Sequence, residues 1–141
     1  MISVATSAVA LSGALSQTDR VSAAAANLAN QQSIGALPAN GTSGSSSASQ
    51  SSAYQPVTAN TVSVGASGGS ATVYRPITPS YLSAYQPDSS SANANGLVAV
   101  PNIDSTQNLL TLKTASSAYQ ANLAVIKTTD QMNRDVLRLT A

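Results

Sequence analysis

Apolar residues recur at helical spacing over two stretches, one near each end of the chain. Across 2–32, Val4, Ala8, Leu11, Leu15, Thr18, Val21, Ala25 and Leu28 follow one another at intervals of three and four, which places them on one helix face. Alanine richness favours this helix, and Gly13 opposes it by about 1 kcal/mol relative to alanine. Gly35 and Pro38 end it. The apolar face is thin, so the helix is expected to need a partner in order to form. The second stretch, Ser105 to Thr140, contains no Gly and no Pro. Pro101 disfavours helix just before it. Asp104 is the expected N-cap, with Gln107 at capping-box spacing. A helix over 104–140 is roughly 54 Å long at 1.5 Å per residue. Asp104 stands at its positive end, and Arg134 and Arg138 at its negative end, as the macrodipole favours.

The C-terminal pattern is unusual because its apolar residues point two ways. Leu109, Leu112, Ser116, Tyr119, Leu123, Ile126 and Leu137 share one face at 100° per residue; Leu110, Ala121, Val125, Met132, Val136 and Leu139 share another, roughly opposite. A helix that packs only against its own N-terminal partner needs one apolar stripe. The first stripe is expected to close onto the N-terminal helix. The second, with Val125, Met132 and Val136, is expected to meet other subunits; the alternative is a loosely defined core in an isolated helical hairpin. Asp130 falls within the first stripe, either as a registry-setting carboxylate or where packing has frayed. Lys113, Gln120, Lys127, Arg134 and Arg138 line a seam between the stripes, which reads as a solvated face or as a rim contact to another subunit.

Between the helices the periodicity is lost. Asn40 to Ser52 is low-complexity and is expected to be disordered, having little to bury against the entropy of ordering. Thr61-Val62-Ser63-Val64 and Thr72-Val73-Tyr74 alternate in the strand period around Gly65-Ala66-Ser67-Gly68-Gly69, which suggests a hairpin. Ser52-Ala53-Tyr54-Gln55-Pro56 and Ser83-Ala84-Tyr85-Gln86-Pro87 form an internal duplication, too short for a solenoid. The chain divides accordingly into an N-terminal helix (1–32), a Ser/Gly/Ala-rich insertion with a hairpin (33–95), and a connecting segment with the long C-terminal helix (96–141).

Composition narrows the function. At 141 residues, with five tyrosines and no Phe or Trp, much of the apolar content is alanine. Alanine contributes little burial beside the roughly 1.5–3 kcal/mol of a large apolar side chain, so a self-sufficient core is not expected. The isolated chain should be only partly folded. Net charge is +1, and no charged residue occurs between Arg20 and Arg75, which argues against nucleic acid as a partner. There is no His, Cys or Glu, and the five Asp are scattered. No Ser–His pair, thiol nucleophile, metal spacing or phosphate-cradling motif can be assembled, so no catalytic, cofactor-binding or metal residue is assigned. No small-molecule substrate is expected. Met1 to Leu15 lacks the basic n-region of a cleaved signal peptide, its first basic residue being Arg20, and no run of about 20 apolar residues could span a membrane.

Three blocks of residues carry a family resemblance. The first is Ser12-Gly13, Gln17, Arg20 and Ala26-Asn27-Leu28-Ala29-Asn30. The second is Tyr85-Gln86-Pro87, Ala92, Ala94, Gly96-Leu97-Val98 and Pro101-Asn102-Ile103. The third runs from Ala118-Tyr119-Gln120-Ala121-Asn122 through Asp130-Gln131-Met132. Together the chain resembles the flagellar basal-body rod proteins, of the proximal rod FlgC type within the rod and hook axial proteins. It departs from that pattern at Ala14, Ser90 and Leu97, and in lacking acidic residues near the start of the C-terminal helix.

The resemblance implies a mainly α fold: two long terminal helices packed as an antiparallel coiled-coil pair, with a low-complexity, weakly β central insertion. It implies a structural subunit of the periplasmic rod that assembles helically, transmits torque, and is exported by the flagellar type III apparatus without a cleaved signal. Partners would be other rod subunits and copies of itself. Assembly and packing would rest on Asn27, Leu28, Asn30, Leu109, Leu112, Tyr119, Asn122, Leu123, Val125, Ile126, Met132 and Val136. The alternatives are a distal rod or hook-like paralogue, or a type III secreted effector.

Overall fold

The computed structural model describes residues 2–37, 53–65 and 68–140. The run Asn40–Ser52, expected to be disordered, lies outside the described residues. Helix α1 spans Ile2–Ala29 and helix α2 Ser105–Thr140. Four strands lie between them: β1 (Val57–Ser63), β2 (Ser70–Pro76), β3 (Tyr81–Tyr85) and β4 (Leu97–Pro101).

Both helix ends that meet the strand region are capped by side chains. At the end of α1 the Asn30 backbone N–H donates to Ala26 O, and Asn30 Nδ2 donates to the same oxygen at 2.8 Å. At the start of α2, Asp104 Oδ1 accepts the Gln107 N–H at 3.0 Å, which satisfies one of the orphan donors of the first turn. The Ser105 hydroxyl donates to Gln31 Oε1 and straps the two capped ends together.

The strands form two separate antiparallel sheets of two strands each. In the first, Val57 pairs with Pro76 and Ser63 with Ser70, a longer hairpin than the valine–threonine alternation alone suggested. Its turn closes through the Val64 N–H on Gly69 O. Gly69 takes φ +112°, and an added Cβ there would stand 3.3 Å from Ser12 Oγ on α1, so both backbone and space favour glycine. In the second sheet Tyr81 pairs with Pro101 and Tyr85 with Leu97. Gly96, at φ +72°, closes that hairpin, and a Cβ would come within 2.8 Å of the Tyr85 ring. Gly35, just after α1, exchanges both backbone hydrogen bonds with Ala99, which anchors β4 to the end of the helix.

The interior is made mainly of small side chains. Ala10, Ala14, Ala23, Ala24, Ala99 and Ala115 are buried, and Val98 and Pro56 are the largest of the fully buried residues.

The expectation of a mainly α chain built as a simple antiparallel coiled-coil pair with a weakly β insertion does not hold. The helices do pack against each other, but the architecture is α+β, with two defined antiparallel sheets between the helices in sequence. The reason lies on α1. Its second side carries Ser12, Ser16 and Asn27, whose polar groups bond to the β1–β2 hairpin or to the residues leading into it. A helix covered on one side by a helix and on another by a hairpin belongs to a layered domain rather than to a two-helix coil. The sheet of β3 and β4 was missed because its strands are short and are joined by a ten-residue-scale loop rather than a tight turn.

Candidate assembly interface

The two helices meet along a seam of small and polar residues. A Cβ added to Gly13 would lie 3.0 Å from the Asn122 carboxamide. Fourteen residues further along α1, Asn27 Nδ2 donates to Asn108 Oδ1 at 3.1 Å, and Asn108 stands fourteen residues before Asn122. These two contacts fix an antiparallel register. On α2 the seam row is Asn108, Ala115, Asn122 and Thr129, spaced by seven, and all but half-buried Asn122 are buried. A strict seven-residue repeat keeps one seam facing a partner along the helix.

Asn27 is the best-connected side chain of the seam and is only 2% exposed. Its Nδ2 donates to Asn108 Oδ1 and, at 2.8 Å, to Val57 O. Its Oδ1 accepts from the Tyr54 hydroxyl and from the Val57 N–H, each at 3.1 Å. Two donors and two lone pairs are the whole capacity of a carboxamide, so the group is saturated. Towards Val57 it offers one donor and one acceptor, as a neighbouring strand would. Burial pushes the Tyr54 hydroxyl above its ordinary pKa, which keeps it a donor.

The residues anticipated for packing and assembly divide by depth. Asn27 is buried, Leu28 is half-buried, and Asn30 caps α1. Leu112, Asn122 and Ile126 are half-buried, while Leu109, Tyr119 and Leu123 are exposed. The first stripe therefore does not close onto α1 as a unit. The seam is rotated from it by roughly 60° at 100° per residue. The cause is steric: α1 presents Gly13 and alanines, so the backbones approach closely and the large side chains stand at the flanks. Met132 and Val136, from the opposite stripe, are exposed. Val125 is also exposed, and it borders an apolar groove of about 670 Å³ with Val9, Ala10 and Gly13 of its own chain. Asp130 is exposed and forms a 3.9 Å ion pair with Arg134, one turn on, of small energetic weight.

Sequence reasoning missed Asn108, Tyr54, Ser16 and Ser70. The signal that could have found Asn108 was the seven-residue row of small and polar residues, which a search for large apolar residues passes over. Ser16 and Ser70 share a hydrogen bond of 3.1 Å, and the Ser70 N–H donates to Ser12 Oγ, so hydroxyls fasten β2 to α1. Desolvation first, and then the nearby Asp19 carboxylate, raise the pKa of Tyr74 on β2.

On the outer surface Leu11, Leu15, Leu109, Leu110, Leu137 and Leu139 are all exposed. Large apolar surface of this kind marks an interaction face when it is contiguous. Among the described residues no helix is long and apolar enough to cross a membrane, and no cluster of acidic side chains could hold a metal.

Comparison with known proteins gives matches of two kinds, to a family model and to curated relatives. Residues 94–139, about a third of the chain, match the family described as "Flagellar basal body rod FlgEFG protein C-terminal". The flagellar basal-body rod proteins FlgC of Salmonella typhimurium and of Yersinia enterocolitica are each 38% identical to the chain over 55 residues. That stretch is 39% of this chain, and it spans about two fifths, 41%, of each relative's length. The family model bears out the resemblance to flagellar basal-body rod proteins read from the sequence, and the relatives bear out its FlgC type.

Proposed function

We propose, from its similarity to flagellar basal-body rod proteins of the FlgC type, that this chain is a structural subunit of the bacterial flagellar rod. It assembles helically through α1 and α2 with copies of itself and with other rod subunits, and so carries torque. The observation that supports this most directly is the pairing of a small-residue seam with exposed large apolar residues on α2, inside the segment that matches the rod family. A helix that keeps its leucines outside needs neighbours to cover them.

The finer parts of the reading follow from the same premise. Residues 1–32 and 96–141 form the assembling core, and 33–95 an insertion upon it. Among the anticipated residues, Leu109, Tyr119, Leu123, Met132 and Val136 face other subunits, and Asn27, Asn30 and Asn122 hold the subunit's own shape. The chain passes through the flagellar type III apparatus without a cleaved signal and acts in the periplasm. It works without enzymatic activity, cofactor, nucleic acid or small-molecule substrate. Fractionation of purified basal bodies tests the assignment: the chain should co-purify with the rod. Its recovery as a free secreted protein, with rods complete in its absence, would favour a secreted effector and overturn the reading.

A further inference from the structure

One amide of α1 holds the start of the hairpin, while Ser12 and Ser16 hold Ser70 on its other strand. Asn27 holds both backbone polar groups of Val57, the first residue of β1, and the Tyr54 hydroxyl three residues before it. The same Nδ2 also donates to Asn108 of α2. Val57 and Asn108 therefore each take one N–H of a single correctly turned carboxamide, and both are served only in one arrangement of the three elements. If α2 slipped by one repeat, Ala115 would replace Asn108 opposite Asn27. One N–H of a buried carboxamide would lose its acceptor, and Gly13 would face Thr129 instead of Asn122. An unsatisfied buried donor is costly where an exchanged surface contact is not.

We infer that Asn27 is a positioning residue that makes docking of the β1–β2 hairpin conditional on the correct pairing register of α1 and α2. Buried polar groups of helix pairs are best attested as register devices of this kind. Here the device has a second arm, because the amide that reads the register also begins the sheet. The inference stands on these contacts alone and does not depend on the rod assignment. The hairpin reports whether the helices are paired correctly, and a misregistered pair leaves it undocked.

Hydrogen exchange of the full chain, held folded by a stabilising osmolyte, tests this with β4 as internal reference, since Asn27 makes no hydrogen bond to that strand. In Asn108→Ala the substituted residue has no hydrogen bond to the hairpin, yet the amides of β1 and β2 should exchange roughly tenfold faster while those of Val98 and Ala99 change little. Asn27→Asp keeps the acceptor oxygens but loses both donors, and should loosen the hairpin at least as much. Tyr54→Phe keeps the ring and removes one bond, so it should accelerate the hairpin by a few-fold without weakening the helix pair; this milder variant decides the matter if the others unfold. Hairpin exchange unchanged in Asn108→Ala, uniform acceleration of hairpin and β4 together, or no effect of Tyr54→Phe would each overturn the inference.

Discussion

The two sides of α2 invert the usual arrangement of a packed helix. The side that meets α1 carries Asn108, Ala115, Asn122 and Thr129; the sides that meet solvent carry Leu109, Leu110, Leu123, Met132, Val136 and Leu137. In an ordinary helical hairpin the large apolar residues would fill the space between the helices. Here that space is narrow, because Gly13 lets Asn122 approach α1 closely. Close approach brings backbone and small side chains into contact and leaves little volume for leucine. The inner face holds the two helices together, and the outer faces leave large apolar side chains uncovered.

Substitutions on the outer face should have the largest effect, and on assembly alone. Met132→Asp with Val136→Asp would place two carboxylates into a covered interface, each costing several kcal/mol if left unpaired. Incorporation into the basal body should be lost, while the stability of the dilute chain should move by no more than about 0.5 kcal/mol, as for ordinary surface changes. Intact rods carrying this double variant would remove the outer face from the interface.

The inner face should respond in the opposite sense. Gly13→Leu overfills the seam and should destabilise the monomer by about 1–3 kcal/mol in urea titration followed by helical circular dichroism. Gly13→Ala is gentler, because the contacting atoms belong to the Asn122 side chain. Adding Asn122→Ala should recover stability in that background; failure to do so would mean that the helices do not meet there. At the start of α2, Asp104→Ala should cost about 1 kcal/mol by removing the cap on the Gln107 N–H.

The smallest effect is alkaline. Tyr54 and Tyr74 both have pKa values raised above the ordinary 10.0, by burial in each case and for Tyr74 also by Asp19. A raised folded pKa means that the folded state favours the neutral hydroxyl. The stabilisation is fully present below the unfolded value and is lost as pH rises through the folded one, in the window above 10.0. Absorbance titration should lose a late-ionising component in Tyr54→Phe and another in Tyr74→Phe.

Two identical pentapeptides show how far the sequence could be read. Tyr54-Gln55-Pro56 lies against α1, with Pro56 fully buried and Tyr54 bonded to Asn27. Tyr85-Gln86-Pro87 begins on the last residue of β3 at the surface, and Tyr85 is 71% exposed. The repetition was visible in the chain, but the difference in fate was not, because it depends on which residues of other elements arrive beside each copy. The helices, the Asp104 cap and the rod resemblance were legible because each rests on local pattern. The seam was not. Its residues are Asn, Ala, Thr and Gly, whose periodicity carries no hydrophobic signal, and its position follows from a close approach that only the paired helices reveal. The second sheet was hidden for a similar reason: Leu97-Val98-Ala99-Val100 is a short apolar run that periodicity alone cannot assign.

The antiparallel register has a mechanical consequence. Residues near Thr6 and near Thr129 lie at one end of the seam, and Asn27 and Asn108 at the other. A tension applied at the Thr6 and Thr129 end would peel the seam one contact at a time, through Gly13–Asn122, with Asn27–Asn108 yielding last. A twisting load delivered through the flanks would strain every contact of the seam together, in shear. The same set of weak contacts is thus easily unzipped from one direction and stiff in another. The last two turns of α2, Arg134 to Leu139, lie past the Thr129 end of the seam and are exposed throughout, so a load reaching them would enter the seam at the end that unzips first.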